Sequence, residues 1–293
     1  MILVTGATGS TGRHLVAQLK AQGARFRALV RDAAKGEALG ADYAVGDFDD
    51  PASLAAAMDG VDRMFLASPG AQPETEDGEQ PMVRWERNAI DAAKGAGVRY
   101  VVKLSVLNAR VGGRMSEGGH GEAEAHLKAS GLEWTMLRPG GFMQNFLSPA
   151  TVLWDEQGAL IGPDGPGRMA FVDCRDIAAC AAVLLTGAPE PVGTLQITGP
   201  EALSYAAIAA HLSRGWGRPV GFNPHAEEAV AARLLGFGLA PQQAAELASL
   251  YGSMGRGDFQ EVTGEVERLT GRRPRAFTEF MAANPEDFPG LEE

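Results

Sequence analysis

Cysteine is scarce in this sequence: Cys174 and Cys180 are the two present, six residues apart. That spacing suits neither a disulfide scaffold nor a zinc knuckle, and it reads as two small buried residues. Basic charge is short as well. Twenty-six Lys and Arg against 37 Asp and Glu leave a net charge of −11 and a pI near 5.0. A polyanion would be repelled unless a local basic patch existed. The nearest to one, Arg272-Arg273-Pro274-Arg275, reads as a solvated turn, so no nucleic-acid partner is expected. No apolar run reaches the roughly 18 residues of a membrane span, and no basic segment with an apolar stretch precedes the first strand. Neither a membrane nor secretion is therefore expected, and a reducing cytoplasm fits. His14, His211 and His225 lack carboxylate or thiol neighbours at ligand spacing, and His120 and His126 are six apart, wrong for one helical face. No metal is implied.

What the sequence has is an alternation. Apolar runs at residues 2–5, 25–30, 43–45, 63–67, 100–105 and 133–137 read as strands. Helical patterns lie between several of them: Leu15, Val16 and Leu19 before Gly23; Pro51 to Met58 after Asp50; Met82 to Ala96 before Gly97; and Glu122 to Ala129 before Gly131. Several strands are continuously apolar, which predicts a parallel sheet covered on both faces. The fold class is α/β: a Rossmann-type doubly wound parallel sheet with a smaller, mostly helical C-terminal lobe. Beyond Pro139 the rhythm loosens. Short strands are expected near Ala170 to Val172 and Leu195 to Thr198, and helices at Ile177 to Leu185, Tyr205 to Arg214, Glu227 to Leu235 and Gln242 to Tyr251. The expected division is a nucleotide-binding domain over 1–150 and a substrate-side lobe over 151–293, partly interleaved, the lobe lying over the carboxyl edge of the sheet.

The sharpest motif is Gly6-Ala7-Thr8-Gly9-Ser10-Thr11-Gly12, between the first strand and first helix. Gly6 permits the tight turn, Gly9 lets backbone approach a pyrophosphate, and Gly12 lets helix and strand pack closely. Free N–H groups at the helix start would hold the phosphates, with Thr8, Ser10 and Thr11 adding hydroxyls. No Gly-Lys-Ser/Thr follows, so a P-loop is excluded. Strand two ends Val30-Arg31-Asp32. Arg31 stands about where a NAD-preferring site carries an acid, and a guanidinium suits a 2′-phosphate. NADP(H) is the preferred cofactor, with Lys35 as a helper. NAD(H) stays open, since Asp32 would itself serve a ribose. By topology Asp47 and Phe48 would flank the adenine, and Ala67, Ser68 and Pro69 would line the path to the nicotinamide.

These pieces resemble the NmrA-like atypical short-chain dehydrogenases, which include type 2 quinone oxidoreductases and triphenylmethane reductases. The resemblance is carried by Thr5 to Gly12, Leu29 to Asp32, Gly46 to Asp50, Val102 to Ser105, Leu137 to Asn145, Phe171 to Asp173 with Asp176 to Ala178, and Leu269 to Pro274. It implies a Rossmann domain with a small helical lobe, NADP(H) across the sheet edge, and a substrate cleft between the lobes. Some such proteins reduce quinones or dyes; others sense the cofactor without turnover, and kinship of fold does not choose between them.

Ordinary short-chain dehydrogenases use a Tyr-x-x-x-Lys pair after the fifth strand. Here no tyrosine lies between Tyr100 and Tyr205, and the stretch reads Gly118-Gly119-His120-Gly121-Glu122-Ala123-Glu124. His120 takes the tyrosine position and Glu124 the lysine position. Either His120 is a general acid oriented by Glu124, or it is a polar residue at a helix start and water supplies the proton. The second is slightly favoured. Lys103, with Ser105 beside it, is a further candidate toward the nicotinamide ribose or carboxamide; its alternative is a surface-edge lysine. Pro139 would adjoin the cofactor. Gly141, Phe142, Met143 and Asn145 would border a cleft for a flat aromatic acceptor, with core packing the alternative for Met143 and Phe146. Leu234, Leu235, Phe237 and Leu239 would form a lid. The expected function is hydride transfer from NADP(H) to a quinone-like or dye-like acceptor. A cofactor-sensing regulator with a protein partner is the alternative, and an epimerase or reductase of sugar or terpenoid type is disfavoured. A homodimer remains open.

Overall fold

The computed structural model describes residues 1–70, 80–147, 152–187 and 193–291. The first part alternates as β1 (Ile2–Val4), α1 (Gly12–Ala21), β2 (Phe26–Val30), α2 (Ala33–Leu39), β3 (Tyr43–Val45), α3 (Pro51–Ala57), β4 (Arg63–Leu66), α4 (Pro81–Gly95), β5 (Tyr100–Leu104), α5 (Met115–Ala129) and β6 (Glu133–Pro139). There follow β7 (Leu160–Pro163), α6 (Cys174–Thr186), β8 (Gly193–Ile197), α7 (Tyr205–Gly215), β9 (Phe222–His225), α8 (Glu227–Gly236), α9 (Pro241–Arg256), α10 (Glu265–Thr270) and α11 (Phe277–Ala282). None of the described helices is long and apolar enough to cross a membrane.

The main sheet has seven strands in the order β3-β2-β1-β4-β5-β6-β8, and the pairings from β3 through β6 are parallel. Leu3, Val4, Ala28, Met64, Phe65, Val101 and Val102 are all fully buried. A strand covered on both faces has no polar side to alternate with, which is why these runs read as continuously apolar. Winding reverses between β1 and β4. That switch point is where the carboxyl ends of adjacent strands leave a crevice, so the Rossmann-type expectation holds.

The chain forms two compact units: Met1–Pro139 with Cys174–Gln196, and Gly140–Asp173 with Ile197–Glu293. The division placed near residue 150 lies outside the described residues. In the first unit, helix starts follow capping chemistry. Asp32 accepts from the Ala34 N–H at 2.9 Å, and Asp50 accepts from the Ala52 N–H at 3.0 Å ahead of Pro51. Each such cap contributes about 1 kcal/mol. The second unit holds the two-stranded parallel pair β7–β9 and an aromatic core in which Phe146 packs edge-on against Phe171 and Phe277.

Besides the short helices α10 and α11, which are not expected, the structure differs from the sequence pattern at four places. The short helix α2 is one the apolar pattern does not reveal; Asp32 starts it and Gly40, at φ +57°, ends it. Helix α5 begins at Met115, seven residues before the expected Glu122, because Gly118, Gly119 and Gly121 are packing positions in it rather than a loop. The strand expected at Ala170 to Val172 is an isolated bridge from Val172 to Phe142. Strands β7 and β9 escape the pattern because Gly162, Pro163 and Pro224 interrupt it.

Candidate active site

The loop from Thr5 to Gly12 is built for close backbone approach. Thr5 is buried, and its Oγ1 accepts from the Ala67 N–H at 2.8 Å and donates to the Ala67 carbonyl at 2.9 Å. The carboxyl ends of β1 and β4 are thereby tied together. Gly6 sits at φ +59°, and a Cβ there would lie 2.8 Å from the Ala67 oxygen. A Cβ on Gly12 would lie 2.0 Å from the Gly6 oxygen, so only glycine lets α1 start against this turn. Thr8, Gly9 and Ser10 are exposed. Thr11 stands at the start of α1 with helical backbone and makes no side-chain cap; its buried Oγ1 has no hydrogen-bond partner. An uncapped helix start, an orphaned hydroxyl and a turn whose three glycines leave the backbone bare form an anion cradle, and a dinucleotide pyrophosphate fits it.

Around this cradle the expected nucleotide residues fall unevenly. Arg31 is exposed just past β2, and Asp32 is engaged in capping α2. Asp47 is exposed and accepts from the Asp49 N–H at 2.9 Å. The ring of Phe48, expected to flank the adenine, is 8% exposed and packs in the core with Leu29, Leu54 and Leu66. Its carbonyl accepts from Asn88 Nδ2 at 2.8 Å. Ala67 is buried, Pro69 is exposed, and Ser68 donates to Glu86 Oε1 at 2.9 Å.

At the carboxyl end of β5 stands a buried charge cluster. Lys103 is 0% exposed, so the surface-edge alternative is excluded. Its Nζ lies 2.7 Å from Glu86 Oε2, an ion pair between two fully buried side chains whose angles are not those of a directed hydrogen bond. It also donates to the Leu104 carbonyl at 3.1 Å and lies 2.9 Å from His120 Nδ1. An ammonium has no lone pair, so Nδ1 accepts and the imidazole proton sits on Nε2. Burial, with the charges of Lys103 and Arg138, holds His120 well below its ordinary pKa. The imidazole is neutral at neutral pH.

The expected pairing of His120 with Glu124 does not form. Glu124 is 1% exposed and accepts from Ser105 Oγ at 2.7 Å and, in a fork, from Arg138 Nε at 2.9 Å and Nη2 at 2.6 Å. Burial pushes the Glu124 carboxyl up, but the hydrogen bonds from Arg138 and Ser105, with the charges of Arg138 and Lys128, outweigh it and hold it below its usual value. Ser105 is buried and its hydroxyl donates to Glu124, so it supports that carboxylate. Lys103 and Ser105 point to one face of β5, and His120 and Glu124 lie one turn apart on α5, so each helix residue meets its own strand partner. Glycines permit the closeness. A Cβ on Gly121 would lie 2.1 Å from the Arg110 carbonyl carbon, and one on Gly119 2.3 Å from Met82 Cε.

Two members of this cluster escape the sequence reading, Glu86 and Arg138. Glu86 interrupts the buried stripe Met82, Val83, Glu86, Ala89, Ile90, Ala93 on α4, and a carboxylate on an apolar stripe was the available signal. Pro139, buried, ends β6.

The residues expected at the substrate cleft lie in the second unit. Gly141 would bring a Cβ within 2.4 Å of Met169 Sδ, and the half-buried Phe142 bridges to Val172. Asn145 is exposed. Met143 is 1% exposed and therefore packs in the interior of that unit rather than offering a cleft wall. Of the lid residues, Leu235 and Phe237 are exposed, whereas Leu234 is packed with Val230 and Tyr251.

A model of the NmrA-like family matches residues 1–281. The sequence is 36% identical to the NAD(P)H azoreductase of Xenophilus azovorans over 98% of this chain and 99% of that protein. It is 30% identical to quinone oxidoreductase 2 of Escherichia coli over 96% of this chain and 98% of that protein. The crystal structure of the Escherichia coli NADPH-dependent quinone oxidoreductase complexed with NADPH matches with a TM-score of 0.82 at 29% identity, covering 97% of this chain and 99% of that one.

Proposed function

This chain belongs to the NmrA-like family, and from that premise we propose that it is an NADP(H)-dependent oxidoreductase that transfers hydride to a quinone-like or azo-dye-like aromatic acceptor. The observation that carries the reading is the uncapped turn from Gly6 to Gly12 at the switch point, bare of side chains at its three glycines, with a neutral histidine held by a buried ion pair at the end of β5. Relatives named as an azoreductase and a quinone oxidoreductase support the acceptor class.

The roles follow from the residues. Amides of the Gly6–Gly12 turn and the hydroxyls of Thr8, Ser10 and Thr11 hold the pyrophosphate. Arg31, free of Asp32, takes the 2′-phosphate. Asp47 and the Phe48 backbone border the adenine side; Ala67, Ser68 and Pro69 border the path toward the dihydronicotinamide. When bound, the reduced nicotinamide supplies the hydride. An electron-poor acceptor needs little activation, so the chain's contribution is orientation and a local hydrogen-bond donor.

The test is a fluorescence titration with NADPH and NADH, followed by quinones and azo dyes added to the loaded protein. NADPH oxidation stoichiometric with acceptor reduction is expected. Tight cofactor binding with no turnover across the panel would replace this reading by a sensor without catalysis.

A further inference from the structure

Burying a carboxylate and an ammonium together is expensive, several kcal/mol for each ion after relaxation. Glu86 and Lys103 are both 0% exposed, and the pair ends on His120. The ammonium is bounded on three sides: Glu86 from α4, the Leu104 carbonyl from β5 and His120 Nδ1 from α5. It can only donate to the ring. Among the described residues the charged groups around His120 are Lys103 on β5, Arg138 on β6 and Glu86 on α4 behind the lysine, with Glu117, one turn earlier on α5, paired to Arg110. On α5 itself Glu124 is held by Arg138 and Ser105, and Glu122 lies against Arg87 of α4. Both cations nearest the ring disfavour a second proton on it. Among the described residues Nε2 has no hydrogen-bond partner, and His120 is half-buried.

We propose that Lys103 is a positioning residue that, backed by Glu86, locks His120 as the neutral Nε2–H tautomer, so that His120 offers the acceptor a fixed hydrogen bond and not a proton. The inference rests on the oxidoreductase reading above and specifies its chemistry. In the reduction NADPH + H⁺ + quinone → NADP⁺ + hydroquinone, the hydride carries both electrons from the cofactor. The oxygen that gains negative charge is met by the Nε2–H bond, and the balancing proton comes from water. His120 keeps its proton throughout. A preorganised neutral donor requires no proton transfer at the moment of reaction.

The experiment has two arms on the full chain. Nitrogen-15 spectra of histidine-labelled protein, recorded from pH 5.5 to 8, should show His120 as the Nε2–H tautomer at every pH. In the double variant E86L/K103M, which removes the buried charges together and so avoids an orphaned ion, the Nδ1–H tautomer should appear. With a quinone as probe, His120→Gln, which keeps an N–H donor and an acceptor for Lys103, should retain turnover within about fivefold. His120→Ala should lose about tenfold or more, and the wild-type pH profile should be flat over this range. A wild-type His120 that is Nδ1–H, or that protonates near 6.5, overturns the proposal; so does Gln failing as badly as Ala. If no acceptor is reduced, the oxidoreductase reading falls and the spectra alone decide the tautomer lock.

Discussion

Replacing Glu86 by glutamine tests the buried pair most directly. The amide keeps the size of the carboxylate and an oxygen for Ser68, which now donates to Oε1 at 2.9 Å. What is removed is the charge 2.7 Å from Lys103, at two side chains with no solvent contact. Lys103 then sits uncompensated in the protein interior. Breaking a buried pair from one side typically costs about 3–5 kcal/mol, because the remaining ion has lost both water and its counter-charge. At roughly 2–4 °C per kcal/mol for domains of this size, the melting temperature should fall by on the order of 10 °C. Removing both charges, as in E86L/K103M, should restore most of this, to within about 2 kcal/mol of wild type. Urea unfolding of E86L, K103M and the double variant E86L/K103M gives the coupling from a double-mutant cycle. A coupling under about 1 kcal/mol would mean that water reaches the pair, and the argument that it fixes His120 would fail.

Other outcomes follow from the same geometry. Arg31→Ala should weaken NADPH binding more than NADH binding, measured by fluorescence titration, because Asp32 is committed to capping α2 and Arg31 is free for a 2′-phosphate; equal weakening of both would refute this. The depressed His120 pKa makes stability pH-dependent with a definite sign. Below the ordinary value of 6.5 the unfolded chain takes a proton that the folded ring refuses, so stability falls as pH drops through 6.5 and levels only beneath the folded value. Measured against His120→Gln, the wild type should lose up to about 1.4 kcal/mol per pH unit below 6.5, and parallel stability curves for the two proteins would contradict it.

The frame of the fold was legible because it depends on local rules. Continuous apolar strands, Asp50-Pro51 at a helix start and glycines at spacing three and three each act within a few residues. The site was legible in its parts and illegible in its pairings. His120 and Glu124 stand one turn apart in sequence, which invited pairing them with each other, yet the partners come from β5 and β6. Which strand residue meets which helix residue depends on how α5 docks, and that is decided by glycine contacts with Met82 and residues 110–113. Phe48 carries the opposite lesson. Its place after β3 is a ligand-facing position by topology, but its ring finds more apolar surface inside, with Leu54 and Leu66.

Helix α5 is the element on which local preference and tertiary packing conflict most. Gly118, Gly119 and Gly121 weaken it by up to about 1 kcal/mol each relative to alanine, so an isolated segment would scarcely be helical. The compensation is proximity: with no side chains at these positions, His120 and Glu124 come within 2.6–2.9 Å of Lys103 and Arg138. Gly121→Ala should therefore destabilise the protein despite alanine's better propensity, by about 1–3 kcal/mol, since the added carbon would lie 2.1 Å from the Arg110 backbone and cannot be absorbed by a rotamer change. It should also loosen the Lys103–His120 contact, read as mixed tautomers in the nitrogen-15 spectrum. Gly95→Ala is the control: that glycine lies in α4 with nothing within 4 Å of the added carbon, so propensity alone acts and stability should rise by up to about 1 kcal/mol. If both variants gain stability, α5 has room to spare, and the close docking that assembles this cluster is not what its glycines are for.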